Sequence, residues 1–308
     1  MDKIAILGAG FVGSTTAFAL MTRNIGSEIM LIDTRGDKAE GEAMDLLHGI
    51  QFAPGARITF SNDYAACEGS NIVVVCAGSA QKPGETRLDL VRKNAAIFKN
   101  MIPQVAAAAP DSVIIVVTNP VDILTHLAIN YSGFPESRVF GTGTTLDSAR
   151  FRFLLGRRFK VNPSSVHAYI LGEHGDSEFP VWSGASIGGV NIKTLPDFDE
   201  NEMIAIADKV KNAAYEIIAK KGATYYAIGL AVARLCESIL RDGNDIYPVS
   251  CLLQDYYGIS DVCLSIPAVI GRAGIVRKIK VALHSCEQDS FRNSAAVLKN
   301  ILLDLAKD

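Results

Sequence analysis

Long apolar runs, paired cysteines and a strong net charge are all missing from this 308-residue chain, and each absence removes a class of protein. The longest apolar runs, such as residues 72–77 and 113–117, are far too short to cross a bilayer, so no membrane partner is expected. A net charge of −3 leaves no basic excess for nucleic acid or an anionic surface. Cys67, Cys76, Cys236, Cys251, Cys263 and Cys286 are scattered, with no C-x-x-C pair. That pattern fits core packing in a reducing compartment better than disulfides or zinc. Met1-Asp2-Lys3 runs straight into Ile4-Ala-Ile-Leu-Gly8, which reads as a strand start and not as a signal peptide. A cytoplasmic protein is expected. No internal repeat, charge block or low-complexity stretch interrupts the chain. What remains is an ordinary soluble composition, 49% hydrophobic and 20% charged, over a length sufficient for two domains.

A glycine-rich turn organises the first half. A β-branched run over 3–8 leads into Gly8-Ala-Gly10-Phe-Val-Gly13, and helix formers follow over 14–21. In a strand–turn–helix of this kind the first glycine makes the turn and the second lets the backbone approach a pyrophosphate. The third lets helix pack on strand, and the helix N-terminus faces the anion. A second strand, Glu28-Ile-Met-Leu-Ile-Asp33, ends in a carboxylate 20 residues beyond Gly13. A carboxylate there accepts both ribose hydroxyls and repels a 2′-phosphate, so NAD is expected in preference to NADP.

Strands and helices then alternate. Residues 57–60, 71–76, 112–117 and 138–140 read as strands, and 37–47, 88–109 and 121–131 as helices. Near-continuous apolar strands separated by helices predict a parallel sheet covered on both faces, with ligands beyond the carboxyl ends of its strands. Two segments occupy that position. After Cys76, residues 77–89 form a long loop with Gly78, Pro83 and Gly84 as hinges, a candidate lid carrying Gln81, Lys82 and Arg87. After Val117 comes Thr118-Asn-Pro-Val-Asp122, in which Asn119 is held extended or in a turn and its bond to Pro120 is open to the cis form.

Beyond Gly141 the pattern changes. A helix over 144–157 puts Asp147 and Arg150 on one face. Residues 166–171 and 187–192 read as antiparallel strands with a Gly-Gly turn. Helical periodicity over 199–241 is interrupted by Gly222, just before Thr224. Two strands over 246–255 and 261–270 and a helix over 290–305 close the chain. The expected fold is α/β: a Rossmann-type doubly wound parallel sheet over residues 1–141, followed by a mixed α+β substrate domain over 142–308. Within the second half, Ile170-Leu-Gly-Glu-His-Gly-Asp-Ser-Glu-Phe-Pro180 places His174 between Gly172 and Gly175, with Glu173 and Asp176 beside it. Histidine is the side chain whose proton moves most easily near neutral pH. By itself the segment is better explained as a turn histidine satisfied by a neighbour, and the rest of the chain is what raises the functional reading.

Taken together and in order, Gly8-x-Gly10-x-x-Gly13, Asp33, the 81–87 loop, Asn119-Pro120, Asp147-x-x-Arg150 and Gly172-Glu-His174-Gly-Asp resemble the NAD-dependent lactate/malate dehydrogenases. Within that superfamily the chain is most similar to the bacterial L-lactate dehydrogenases. The resemblance implies hydride transfer between NADH and a 2-keto acid, with no metal. It makes His174 the proton donor to the keto oxygen, Asp147 the holder of the other ring nitrogen, and Arg150 the bidentate grip on the substrate carboxylate. It makes Arg87 the cation that polarises the carbonyl as the loop closes, Asn119 a donor to the reacting oxygen, and Thr224 a pocket wall. It adds Val12, Lys38, Tyr64, Gly78, Thr118 and Thr142 to the NAD site around Gly8, Gly10, Gly13 and Asp33.

Gln81 bears on the substrate. Malate enzymes of the superfamily carry arginine at this loop position. A neutral Gln81 cannot pair a second carboxylate, Glu85 repels one, and burying it unpaired is costly. Pyruvate is therefore expected, with malate or a broader 2-hydroxyacid as the alternative and Lys82 as a partial substitute for the missing arginine. Arg152 and His167 match positions where many bacterial members bind fructose 1,6-bisphosphate across a subunit interface. That activator and a homotetramer are the corresponding expectations.

Overall fold

The computed structural model describes residues 2–79, 84 and 86–306, apart from the side chain of Arg87. The N-terminal half runs β1 (Lys3–Leu7), α1 (Phe11–Thr22), β2 (Glu28–Ile32), α2 (Gly36–His48), β3 (Arg57–Ser61), β4 (Ile72–Val75), α3 (Arg87–Ala108), β5 (Val113–Val116), α4 (Val121–Ser132) and β6 (Val139–Gly141). These six strands are parallel, in the spatial order β3-β2-β1-β4-β5-β6. Their β-branched runs suit burial on both faces. Along β1, Ile4 and Ile6 pack into one core with Ala17 and Leu20 of α1, while Ala5 and Leu7 pack into the other with Phe98 and Ile102 of α3. The chain order reverses between β1 and β4, which opens a crevice at their carboxyl ends.

The second half runs α5 (Thr145–Arg158), β7 (Val166–His167), β8 (Ile170–Leu171), β9 (Phe179–Pro180), β10 (Ser186–Ile187), β11 (Val190–Asn191), α6 (Glu200–Lys221), α7 (Tyr226–Leu240), β12 (Asp245–Leu252), β13 (Cys263–Gly271), β14 (Gly274–Lys278) and α8 (Ser285–Leu305). The segment read as one strand over 166–171 is broken. Its first part, β7, pairs with β10, and its second, β8, with β9, while the Gly188-Gly189 turn joins β10 to β11. The carbonyl of Tyr169, between the two halves, accepts the amide of Val181. A third core forms here from Phe151 and Leu155 of α5 with Met203, Ile206 and Val210 of α6.

The main sheet does not stop at Gly141. Strands β12, β13 and β14 add to it antiparallel, with Ser250 of β12 opposite Gly141 of β6. Among the described residues the sheet therefore has nine strands, with the second half supplying one edge. Strand β14 was not legible in the sequence.

Candidate active site

The glycine turn sits at the crevice. Gly8 has a positive φ of 95°, and its carbonyl presses so closely on Gly13 that any side chain there would strike it. Helix α1 starts at Phe11, three residues earlier than its composition suggests, with Gly10 as N-cap. Its first hydrogen-bonded amide is Ser14, bonded to the Gly10 carbonyl, so the first-turn amides of Phe11, Val12 and Gly13 are left for an anion. A Cβ on Gly10 would meet nothing closer than Lys38 Nζ at 3.8 Å, which leaves room for a phosphate against the backbone.

A cleft of about 340 Å³ opens here, and its walls include Gly8, Gly10, Asp33, Lys38, Tyr64 and Gly78. Six of the sequence-derived cofactor residues thus share one space. The Asp33 carboxylate is held by the amides of Ala9 and Arg35, at 2.9 and 3.0 Å. Burial first, and then the nearby Asp33 charge, raise the Tyr64 phenol above its usual range. These residues fit a dinucleotide: an amide cradle for the phosphates and a fixed carboxylate at the strand end. Val12 and Gly13 lie in the first turn of α1. Thr142 is buried beyond β6, its amide on the Val116 carbonyl.

The roots of the loops after β4 and β5 are tied together. Thr118 donates its hydroxyl to the carbonyls of Val75 and Ala77. Its methyl lies so close to Gly78 that a side chain at 78 would overlap it. Asn94, fully buried on α3, accepts the Ser79 amide at 2.7 Å and donates to the carbonyls of Ser79 and Asn119 at 3.3 and 2.8 Å. The Asn119–Pro120 bond is cis. Helix α3 begins at Arg87, capped by Thr86 in a capping box with Asp89. Gln81, Lys82, Pro83 and Glu85 lie outside the described residues, as does the Arg87 side chain, so the lid reading and the Gln81 and Arg87 assignments rest on sequence.

His174 occupies the loop between β8 and β9, and three elements hold that loop. Gly172 exchanges backbone hydrogen bonds with Ser265 of β13. The Ser294 hydroxyl of α8 accepts the Glu173 amide at 3.1 Å. Asp122 of α4, 2% exposed, accepts the His174 amide at 2.7 Å on one oxygen and the Ser250 hydroxyl at 2.5 Å on the other. The imidazole Nδ1 lies 2.7 Å from Asp147 Oδ2, and Arg150 donates to Asp147 Oδ1 at 2.8 Å. Asp147 and Arg150, three apart on α5, are not a surface pair: their side chains are 3% and 15% exposed.

Burial works against ionisation of this group, but pairing outweighs it. Desolvation would raise the Asp147 carboxyl, yet the His174 and Arg150 charges and hydrogen bonds bring it below the usual range. Asp147 is thus a carboxylate, and Nδ1 carries the proton it accepts. Desolvation would lower His174, yet the Asp147 charge and hydrogen bond, followed by Glu178 and Asp122, lift it to about 9. Asp122 itself is pushed up to about 6 by burial, despite the Ser250 and His174 hydrogen bonds. Asp147 uses both oxygens, one on His174 and one on Arg150, an arrangement suited to acid–base work. A charged imidazole beside a fixed guanidinium can bind an anionic substrate and pass it a proton.

Other expected residues lie apart or are only loosely placed. Thr224 is half-buried in the break between α6 and α7, where Gly222 caps α6 in the left-handed conformation. Arg152 donates to the Ala168 carbonyl at 2.9 Å and covers the Tyr169 ring at 5.0 Å, beside exposed His167 on β7. Asn94, Asp122, Ser250 and Glu178 were not singled out from sequence. The available signal was weak: a lone asparagine in an apolar helical pattern, and an aspartate three residues after Asn119.

The sheet order, glycine cradle and acidic strand end define a Rossmann-type dinucleotide-binding protein with an acid–base histidine. The chain belongs to the lactate/malate dehydrogenase family. The model of the lactate/malate dehydrogenase NAD binding domain matches residues 2–141, and that of the alpha/beta C-terminal domain matches residues 144–307. An L-lactate dehydrogenase of Bacillus velezensis is 50% identical over 98% of this chain and 96% of its own length. L-lactate dehydrogenase 1 of Clostridium acetobutylicum is 49% identical over 97% of each chain. Among solved structures, the minor L-lactate dehydrogenase from Enterococcus mundtii is 43% identical with a TM-score of 0.95, covering 98% of this chain and 97% of its own. A lactate dehydrogenase from a Medee basin deep-sea metagenome library is 39% identical with a TM-score of 0.96, covering 99% of both.

Proposed function

We propose that this protein is an NAD-dependent L-lactate dehydrogenase, catalysing the reversible reduction of pyruvate to L-lactate. The observation that carries the reading is the Arg150–Asp147–His174 relay around a buried carboxylate, set in a chain about half identical to bacterial L-lactate dehydrogenases. NADH, when bound, supplies the hydride. Asp147 keeps Nδ1 of His174 protonated and oriented, so the other ring nitrogen is the one that delivers a proton to the keto oxygen. The remaining guanidinium nitrogens of Arg150 take the substrate carboxylate, and its contact with Asp147 fixes where that carboxylate sits. Asn119 and Arg87 are assigned to the reacting oxygen and Thr224 to the pocket wall, on the family resemblance.

Choice of substrate is assigned to Gln81. It offers no charge to a second carboxylate, and the same position is arginine in malate enzymes. Initial rates of NADH oxidation with pyruvate and with oxaloacetate test this directly. Pyruvate should be strongly preferred, and Gln81→Arg should move preference toward oxaloacetate. A variant that stays active on pyruvate while ignoring oxaloacetate defeats the assignment. A preference of the unmodified enzyme for oxaloacetate favours the malate reading instead.

Arg152 and His167 are assigned to fructose 1,6-bisphosphate binding between subunits of a homotetramer. Their proximity through Ala168 supports the pairing. Adding that sugar should lower the pyruvate KM, and Arg152→Gln should abolish the response, while light scattering should give four copies. A cytoplasmic, fermentative role fits this chemistry.

A further inference from the structure

Glu178 has no role in the relay just described, yet the fold returns it there. Leu171 of β8 pairs with Phe179 of β9, so residues 172–178 form a closed loop whose last member comes back beside its start. The Glu178 amide donates to the Gly175 carbonyl at 3.2 Å, tightening the closure. As a result, one Glu178 oxygen, one Asp147 oxygen and one His174 nitrogen lie within 4.8 Å of one another. Asp147 has both oxygens engaged, on His174 and Arg150. Glu178 is therefore a second acidic group facing the same imidazole, within the field of Arg150 while the Arg150 hydrogen bond goes to Asp147.

We propose that Glu178 is a positioning residue for proton transfer, a second carboxylate that stabilises the protonated imidazole of His174 alongside Asp147. The inference rests on the proposed dehydrogenase reading for its catalytic meaning, but not for its electrostatics. The charges around the loop are Asp147 and Arg150 from α5, Asp122 from α4, Lys211 from α6, and Glu173 and Asp176 from the loop itself, while β13 and α8 offer the uncharged Ser265 and Ser294. Asp176 accepts the Tyr215 hydroxyl of α6 at 3.2 Å. Glu178, raised by burial and the Asp147 charge to about 8, ionises just below His174 at about 9, so carboxylate and imidazolium face each other between those values. As Glu178 ionises, its charge favours the protonated imidazole and delays loss of the His174 proton to higher pH. Burial and the Asp147 charge already raise the Glu178 carboxyl, against the His174, Arg150 and Lys211 cations. Like and opposite charges at this range each shift a titration by about one unit or more.

Histidine Cε1 NMR titration of the unliganded enzyme tests the pairing, with His174 assigned by loss of its signal in His174→Asn. In the unmodified enzyme the His174 signal should titrate in two steps, the one at lower pH reporting Glu178. In Glu178→Gln the curve should become single and move down by about one pH unit or more. Glu178→Asp should restore part of the shift, and the two-step curve of the unmodified enzyme stands as evidence if the Gln variant does not fold. The pH profiles of pyruvate reduction and lactate oxidation should move to lower pH together in Glu178→Gln. A single-step wild-type curve, or an unmoved midpoint with kcat reduced equally at every pH, overturns the proposal and makes Glu178 merely structural. Should the NMR shift appear in an enzyme that turns over neither substrate, the pairing stands and the dehydrogenase reading fails.

Discussion

His174 holds its proton at neutral pH because Asp147 attracts the charged ring more than burial repels it. With the group lifted to about 9, pyruvate reduction should stay flat through neutrality and fall as pH rises through that value. Lactate oxidation, which needs the neutral ring, should rise over the same range. Stability follows the same sign. A histidine raised above its unfolded value of about 6.5 contributes fully below that pH, and the contribution is lost as pH rises through about 9. His126 is the opposite case. Burial lowers it and its Nδ1 has no hydrogen-bond partner among the described residues, so stability should drop as pH falls below about 6.5. Thermal melting of His174→Asn and His126→Leu across pH checks both signs. Asp147→Asn should keep NADH affinity while kcat falls by about two to four orders of magnitude. Asp122→Ala strands the His174 amide and the Ser250 hydroxyl, and should cost about 1–3 kcal/mol in urea unfolding as well as turnover. His174, Asp147 and Arg150 were legible because their spacing and residue types carry chemistry. Asp122 was not, since its meaning depends on the distant His174 amide and Ser250 hydroxyl, and Glu178 was not, since only the β8–β9 pairing turns it back toward the imidazole.

At the level of elements, the loops after β4 and β5 work as one unit. Asn94 joins Ser79 to Asn119, and Thr118 joins β4 to the start of the following loop. Gly78→Ala should destabilise by about 1–3 kcal/mol, because its Cβ overlaps the Thr118 methyl. Thr118→Ser removes that methyl and keeps the hydroxyl, so the double variant should recover part of the loss in a double-mutant cycle. Asn94→Ala should raise hydrogen exchange at Ser79 and the pyruvate KM more than it lowers melting temperature. Most helices were readable from periodicity to within three residues. The closing helix was read at 290 and begins at 285, because its first turn is satisfied by a His284–Glu287 capping box that no apolar stripe announces. Strands β7 to β11 are two residues each, too short for alternation to register.

For the whole molecule, the shared sheet matters most. Strand β6 borders both halves, through β5 on one side and β12 on the other. We propose two functional domains meeting near Gly141 but one folding unit. Calorimetry should show a single transition, and a chain ending at residue 141 should aggregate through the uncovered edge of β6. Two transitions, or a soluble monomeric fragment, would falsify that coupling.

Local order alone determined the parallel half of this protein, its glycine cradle, its acidic strand end and the residue types of the acid–base group, because period, turn chemistry and short spacing are written in neighbouring residues. Only tertiary structure decided that an antiparallel edge completes the sheet, that Asp122 and Ser250 anchor the His174 backbone, and that Glu178 faces the imidazole. The sheet edge and the Asp122–Ser250 anchor depend on contacts between segments up to 128 residues apart, and the Glu178 placement on the β8–β9 pairing that closes its loop, none of which local pattern records.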